Sequence, residues 1–150
     1  MAEALLKKMV SKTKYKNFIK VQSAGTLKLA PSPAHDFAVD VCRENEIELY
    51  DHVSKPVEKR IVDESDIVFC LAQNHYAYLS KKYPADKEKF VLLKQYQNNR
   101  MVSIPSIADP IGHNFDFFRD TFNEIRYELK RVLPFLLSEV KRFVEFNKIS

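Results

Sequence analysis

The chain has 150 residues, 45% of them apolar, and a net charge of +4, which is enough for one domain with a packed core. No apolar run approaches the ~18 residues of a membrane-spanning helix and no charged-apolar-small leader opens the sequence, so neither a membrane partner nor a secretory address is expected. With only Gly25 and Gly112 present, neither a G-x-G-x-x-G fingerprint nor a Walker loop can be written, and no zinc-finger or RNA-recognition spacing points to nucleic acid.

Ala2, Leu5, Leu6, Met9 and Val10 recur at helical spacing, which predicts a helix over residues 2–12. No Ser, Thr, Asp or Asn precedes it to take its first amides, because the sequence starts there. Lys7, Lys8, Lys12, Lys14, Lys16 and Lys20 cluster in and after it. They read as a solvated face, with attraction of anionic partners as the sharper alternative. Phe18 to Gln22 predicts a short strand and Ser23-Ala24-Gly25-Thr26 a turn. Ser32 is the expected N-cap of a second helix with Pro33 at its first position. Ala34, Phe37, Ala38, Val41 and Cys42 form the buried stripe of that helix.

Ser54 to Glu64 suggests a short helix behind Pro56. Ile67-Val68-Phe69-Cys70-Leu71 is continuously apolar, as expected of a strand covered on both faces of a parallel sheet. A helix over residues 74–82, a Pro84 turn and a buried strand at Phe90-Val91-Leu92-Leu93 follow. Residues 97–114 read as a long surface loop, a length that often carries function. The last segment is the clearest periodic signal, with Phe118, Phe122, Ile125, Leu129, Val132, Leu136, Val140 and Phe143 stepping by three and four. That stripe reads as core. Asn114 is placed to cap its start, and Pro134 is expected to kink its middle by removing a backbone donor. The order of helices and strands is that of an α/β, doubly wound parallel sheet without an opening strand, whose ligand site belongs at the strand C-termini.

Several separated stretches together resemble the low-molecular-weight protein-tyrosine-phosphatase family. Met1-Ala2-Glu3-Ala4-Leu5-Leu6 resembles the start of that family's first helix, which follows its Cys-x5-Arg-Ser-Pro loop. Val21-Gln22-Ser23-Ala24-Gly25-Thr26 resembles the second strand and its turn, and Asp51-His52-Val53-Ser54 the histidine region. Asp66 to Leu71 with His75 resembles the third strand and the following helix, and Asp109-Pro110-Ile111-Gly112 the general-acid loop. The match is collinear over nearly the whole chain. His52-Val53-Ser54 and Asp-Pro-x-Gly are most similar to the bacterial branch that includes protein-arginine phosphatases.

The resemblance implies two-step phosphoryl transfer on a phosphorylated protein or small phosphoester, without metal or organic cofactor. A thiolate attacks phosphorus to form a cysteinyl-phosphate, while loop amides, an arginine and a helix N-terminus hold the phosphate oxygens. Asp109 is then the general acid that protonates the leaving group and later the base for the attacking water. Ser23 and His52 match residues that brace the phosphate loop, and Ile111 is a candidate wall of the substrate cleft. Without the resemblance, Asp109 is a turn aspartate before proline, Ser23 a turn serine and His52 a surface or core histidine.

No nucleophile is written in these residues. The sequence runs Cys42-Arg43-Glu44-Asn45-Glu46-Ile47-Glu48 and Cys70-Leu71-Ala72-Gln73-Asn74-His75-Tyr76, with no arginine six positions on. Both cysteines lie on buried stripes and fit free thiols of a reducing cytoplasm. In the family the missing strand lies in the middle of the sheet, so its absence predicts two unpaired backbone rows and self-association through exposed edges. The expectation is therefore an N-terminally truncated domain over residues 1–150, begun at an internal methionine and inactive alone. A non-catalytic pseudophosphatase that binds or regulates a partner is the alternative. A thioredoxin-coupled arsenate reductase, which shares the fold, fits poorly because Cys70 has no second thiol nearby.

Overall fold

The structure is a computed structural model that describes residues 1–27 and 29–148. Its elements in chain order are α1 (Ala2–Ser11), α2 (Asp36–Glu44), α3 (Lys59–Asp63), β1 (Val68–Cys70), α4 (Gln73–Lys82), β2 (Phe90–Leu92) and α5 (Phe115–Lys148), with a 3-10 turn over Pro84–Lys89 before β2. The fold is α/β with a parallel sheet. Val68, Phe69 and Cys70 stand opposite Phe90, Val91 and Leu92, and the connection between the strands runs through α4, as parallel pairing requires a long crossover.

Two apolar clusters organise the molecule. The larger joins Leu5 of α1, Val41 and Cys42 of α2, Leu93, Ile107, and the α5 stripe Phe118, Phe122, Ile125, Leu129 and Val132. The smaller gathers Val57, Val62, Cys70, Leu79, Tyr83 and Phe90 around the other face of the strands. The β1–β2 pair thus lies between helices on both sides, which is why its strands are written as apolar runs rather than alternating ones. No described helix is long and apolar enough to cross a membrane.

Three local expectations change. Phe18 to Gln22 is not a strand: residues 19–24 make no backbone–backbone hydrogen bond among the described residues, and Phe18 is 57% exposed. A strand exists only through its ladder, and this segment has no neighbour to pair with. One edge of β1 is also without a ladder among the described residues. The Cys70 carbonyl accepts from the Leu93 amide on the β2 side at 3.0 Å, so alternation turns Phe69's amide and carbonyl the other way. Beyond Leu71, whose carbonyl takes the Ile107 amide at 2.7 Å, no described backbone group reaches that edge.

The second helix starts at Asp36 rather than at Pro33. His35 is its cap, with Nδ1 accepting the Phe37 amide at 3.1 Å and its ring stacked on Phe118. Ser32 is instead bound to Ser54, backbone to backbone (2.8 Å) and hydroxyl to hydroxyl (3.1 Å). The α5 stripe also ends early. Leu136 is the last of its residues packed against the core, and Phe143 is 64% exposed. The helix itself continues through Pro134.

Arg131 ties α5 to the end of the sheet. Its guanidinium donates to the carbonyls of Leu93 (2.8 Å) and Tyr96 (2.6 Å) and to the Glu128 carboxylate (2.7 Å). Glu128 is only 6% exposed. Arg131→Met would strand that carboxylate and two carbonyls, and is expected to lower the unfolding free energy by about 3–5 kcal/mol. Urea denaturation reads the loss. Replacing Glu128 by Met as well is expected to recover part of it.

Candidate functional site

The first turn of α1 carries a carboxylate hub. Glu3 lies one turn before Lys7, so helical geometry brings their side chains together, and Lys7 Nζ donates to Oε1 at 2.5 Å. The other oxygen, Oε2, accepts from Ser23 Oγ at 2.5 Å. Burial alone would raise the Glu3 carboxyl, which is 15% exposed, but the bonds from Lys7 and Ser23 outweigh it. The charge of His52 adds to them, and the result lies below the ordinary carboxylate range. Ser23 is thus bonded to Glu3, while no described hydrogen bond joins His52 to it. Glu3 itself was missed. The only signal for it was its i,i+4 relation to Lys7, which is common on solvated helices.

His52 is half-buried, its amide donating to the Leu49 carbonyl at 3.2 Å. The segment around it is tied down on both sides. Ser54 holds Ser32, and Lys55 offers its carbonyl to the Gly25 amide at 2.8 Å, beside the isolated Gly25–Pro56 bridge. Those bonds fix the Ser23 turn against the His52 segment.

Asp109 and Ile111 belong to a separate exposed turn. Asp109 Oδ1 accepts the Ile111 amide at 3.0 Å, an Asx turn in which the second carboxylate oxygen has no partner among the described residues. The His113 amide then donates to the Pro110 carbonyl at 3.0 Å. Gly112 has φ +85°, a backbone conformation that a side chain resists, although a Cβ would meet nothing within 4 Å. Ile111 is 61% exposed. No described contact joins this turn to the Glu3 hub. Two open grooves, about 470 Å³ beside Leu29, Pro56 and Lys82 and about 410 Å³ beside Pro33, Asp40 and Tyr50, include none of Ser23, His52, Asp109 or Ile111. The volumes mark surface folds away from the candidate chemistry.

Both thiols are buried and free. Burial pushes Cys70 up to about 11. Burial also raises Cys42, partly offset by the Met1 amine, whose own pKa is driven down by its burial. Each shift favours the protonated, non-nucleophilic thiol at neutral pH. Among the described residues no group of three His, Cys, Asp or Glu side chains converges as a metal site would require.

The chain is similar to proteins of known family and fold. A family model described as low molecular weight phosphotyrosine protein phosphatase matches residues 1–145. A protein-arginine-phosphatase of Geobacillus stearothermophilus is 28% identical over 121 residues, covering 81% of this chain and 79% of that protein. The solved YwlE arginine phosphatase of Geobacillus stearothermophilus superposes with a TM-score of 0.80 at 27% identity, over 92% of this chain and 84% of its own. A protein tyrosine phosphatase of Entamoeba histolytica shares the fold, with a TM-score of 0.81 at 18% identity over 92% and 88% of the two chains.

The hub has a pH signature. Because Glu3's folded pKa lies below its unfolded value, its ionised form stabilises the fold above the unfolded carboxyl range of about 4.3, and that contribution fades as pH falls through the folded value. Glu3→Gln is expected to cost about 1–2 kcal/mol at pH 7 and to flatten the acid limb of stability against pH. An unchanged acid limb in denaturant titrations would count against the hub.

Proposed function

The chain belongs to the low molecular weight phosphotyrosine protein phosphatase family, and from that premise we propose that it supplies the general acid and the bracing residues of a phosphatase. The substrate is a phosphorylated protein or small phosphate monoester, and Asp109 protonates the leaving atom. The observation that carries this is the Asp109 turn. One carboxylate oxygen is fixed by the Ile111 amide and the other is left free on an exposed, proline-stiffened loop, as proton delivery to an incoming substrate needs. Ser23 and His52 brace the phosphate cradle through Glu3, and Ile111 forms part of the cleft wall.

Neither cysteine of residues 1–150 fits the nucleophile. Cys42 is 0% and Cys70 2% exposed, both are held protonated, and neither precedes an arginine at the required spacing. The free edge of β1 and the unpaired residues 19–24 are two backbone rows that a further strand ending in a Cys-x5-Arg loop would satisfy. Residues 1–150 alone are therefore inactive, and their open edges favour self-association.

A second reading, protein-arginine phosphatase, is favoured by the relatives that bear that name at 27–28% identity. Ile111 and Gly112, rather than larger aromatic side chains, follow Asp109-Pro110 here. In that reading Asp109 delivers its proton to the guanidino nitrogen that leaves phosphorus.

The test compares two proteins on 4-nitrophenyl phosphate and on phosphotyrosine and phosphoarginine peptides. One is the 150-residue chain and the other is the same chain joined to a strand and Cys-x5-Arg loop ahead of Met1. Turnover is expected only in the second, with Asp109→Asn lowering kcat by about 10²–10⁴-fold on poor leaving groups. Failure of the joined protein on all three substrates sinks the reading. Thiol-dependent turnover by the 150 residues alone, lost in Cys42→Ser or Cys70→Ser, sinks the inactivity claim. The ratio of kcat/KM on the two peptides decides between tyrosine and arginine. Native Cys42 and Cys70 are expected to resist iodoacetamide at pH 8 and to react once the chain is unfolded in urea.

A further inference from the structure

The first turn of α4 lacks a cap of its own. Its N-cap residue is Ala72, in extended conformation and with no side-chain acceptor, so the Gln73 amide has no partner within its own segment. Ser106, 33 residues away in sequence, supplies one, its Oγ accepting the Gln73 amide at 2.9 Å. The next residue, Ile107, donates its amide to the Leu71 carbonyl at 2.7 Å and is 5% exposed within the larger core. Two consecutive residues of the long loop are thereby fastened to two positions, Leu71 and Gln73, at the C-terminal end of β1.

Asp109 follows two residues later. From Ile107 the backbone can reach at most about 7 Å to it, so the anchor point sets where the carboxylate stands. Ala108, Asp109, Ile111, Gly112 and His113 are exposed, and the hold on Asp109 itself is local, through its bond to Ile111. The next firm point is Asn114, whose side chain accepts the Phe117 amide at 3.1 Å to cap α5.

We propose that Ser106 is a positioning residue for Asp109. By capping α4 from a distance, it sets the base of the short arm that carries the acid at the strand C-terminus. The inference rests on the proposed general-acid role, and the geometry of the clamp stands apart from it. A carboxylate displaced by about 1 Å can lose ~10²-fold in a proton-transfer step, so one hydroxyl at the base of the arm has leverage on the rate.

The experiment has two arms, each with Ser106→Ala and the conservative Ser106→Thr. In the 150-residue chain, amide exchange and amide proton shifts are followed at Gln73, Ile107 and Ile111, with Phe122 as a core control. Ser106→Ala is expected to speed exchange at Gln73 and Ile107 about tenfold and to move the Ile111 amide shift, which reports its bond to Asp109. Phe122 stays unchanged and Ser106→Thr restores the pattern. Faster exchange at Gln73 with an unmoved Ile111 would reduce Ser106 to a helix cap and overturn the proposal.

In the strand-and-loop protein described above, Ser106→Ala is expected to lower kcat/KM, which reports the first phosphoryl transfer alone, about tenfold on phenyl phosphate, whose leaving group needs a proton. On 4-nitrophenyl phosphate kcat/KM is expected to stay within about twofold. Equal losses of kcat/KM on the two substrates would overturn the proposal. Absence of turnover in the parent protein would instead sink the phosphatase reading, and the exchange arm would then decide the clamp by itself.

Discussion

Phe118, Phe122, Ile125, Leu129 and Val132 present one apolar face of α5. α1 through Leu5, α2 through Val41 and Cys42, and the Asp109 loop through Ile107 all bury side chains in the cluster built on it. Each large apolar side chain removed from water contributes about 1.5–3 kcal/mol, so this shared face outweighs any single polar bond in holding those elements together. The Glu3 hub on α1 and the Asp109 arm make no direct described contact, yet both are referred to the same helix. Arg131 extends that control to the sheet by fastening α5 to the carbonyls at the end of β2.

Polar groups then do what the apolar face cannot, which is to fix direction. Glu3 has two carboxylate oxygens and receives a donor on each, Lys7 on one and Ser23 on the other. Two charge-assisted bonds of this kind overcome the cost of partial burial and hold the turn of residues 23–26 to α1. Gly25 extends the hold towards the His52 segment by exchanging backbone bonds with Lys55 and Val57. Ser106 acts similarly at the C-terminal end of β1, where a hydroxyl replaces the cap that Ala72 cannot provide.

The thiols illustrate how burial separates a structural cysteine from a reactive one. Cys42 sits against α5 and Cys70 in β1, and in both the loss of water disfavours the thiolate. A nucleophile for phosphoryl transfer needs the opposite surroundings, with amide dipoles and a cation around an accessible sulfur. The unpaired edge of β1 lies beside one of these buried thiols in sequence, but what that edge offers is backbone pairing rather than chemistry.

The sequence by itself determined the elements that local periodicity and composition dictate. These are α1, the two apolar strands, α4, the long last helix and the burial of both cysteines, whereas Asp109, Ser23, His52 and Ile111 are candidates through the resemblance alone. Collinear resemblance carried the family, which the match over residues 1–145 then showed. What depended on partners far along the chain was not legible. Residues 18–22 read as a strand, but a strand is defined by a neighbour, and here the ladder is unmade. Ser32 read as a cap because it precedes proline, but Ser54, 22 residues away, claims it and leaves His35 to start α2. Glu3 and Ser106 gave almost no signal, since their partners Ser23 and Gln73 lie 20 and 33 residues off. Only the folded chain brings such pairs within hydrogen-bond reach, because one apolar face of α5 decides which distant segments meet.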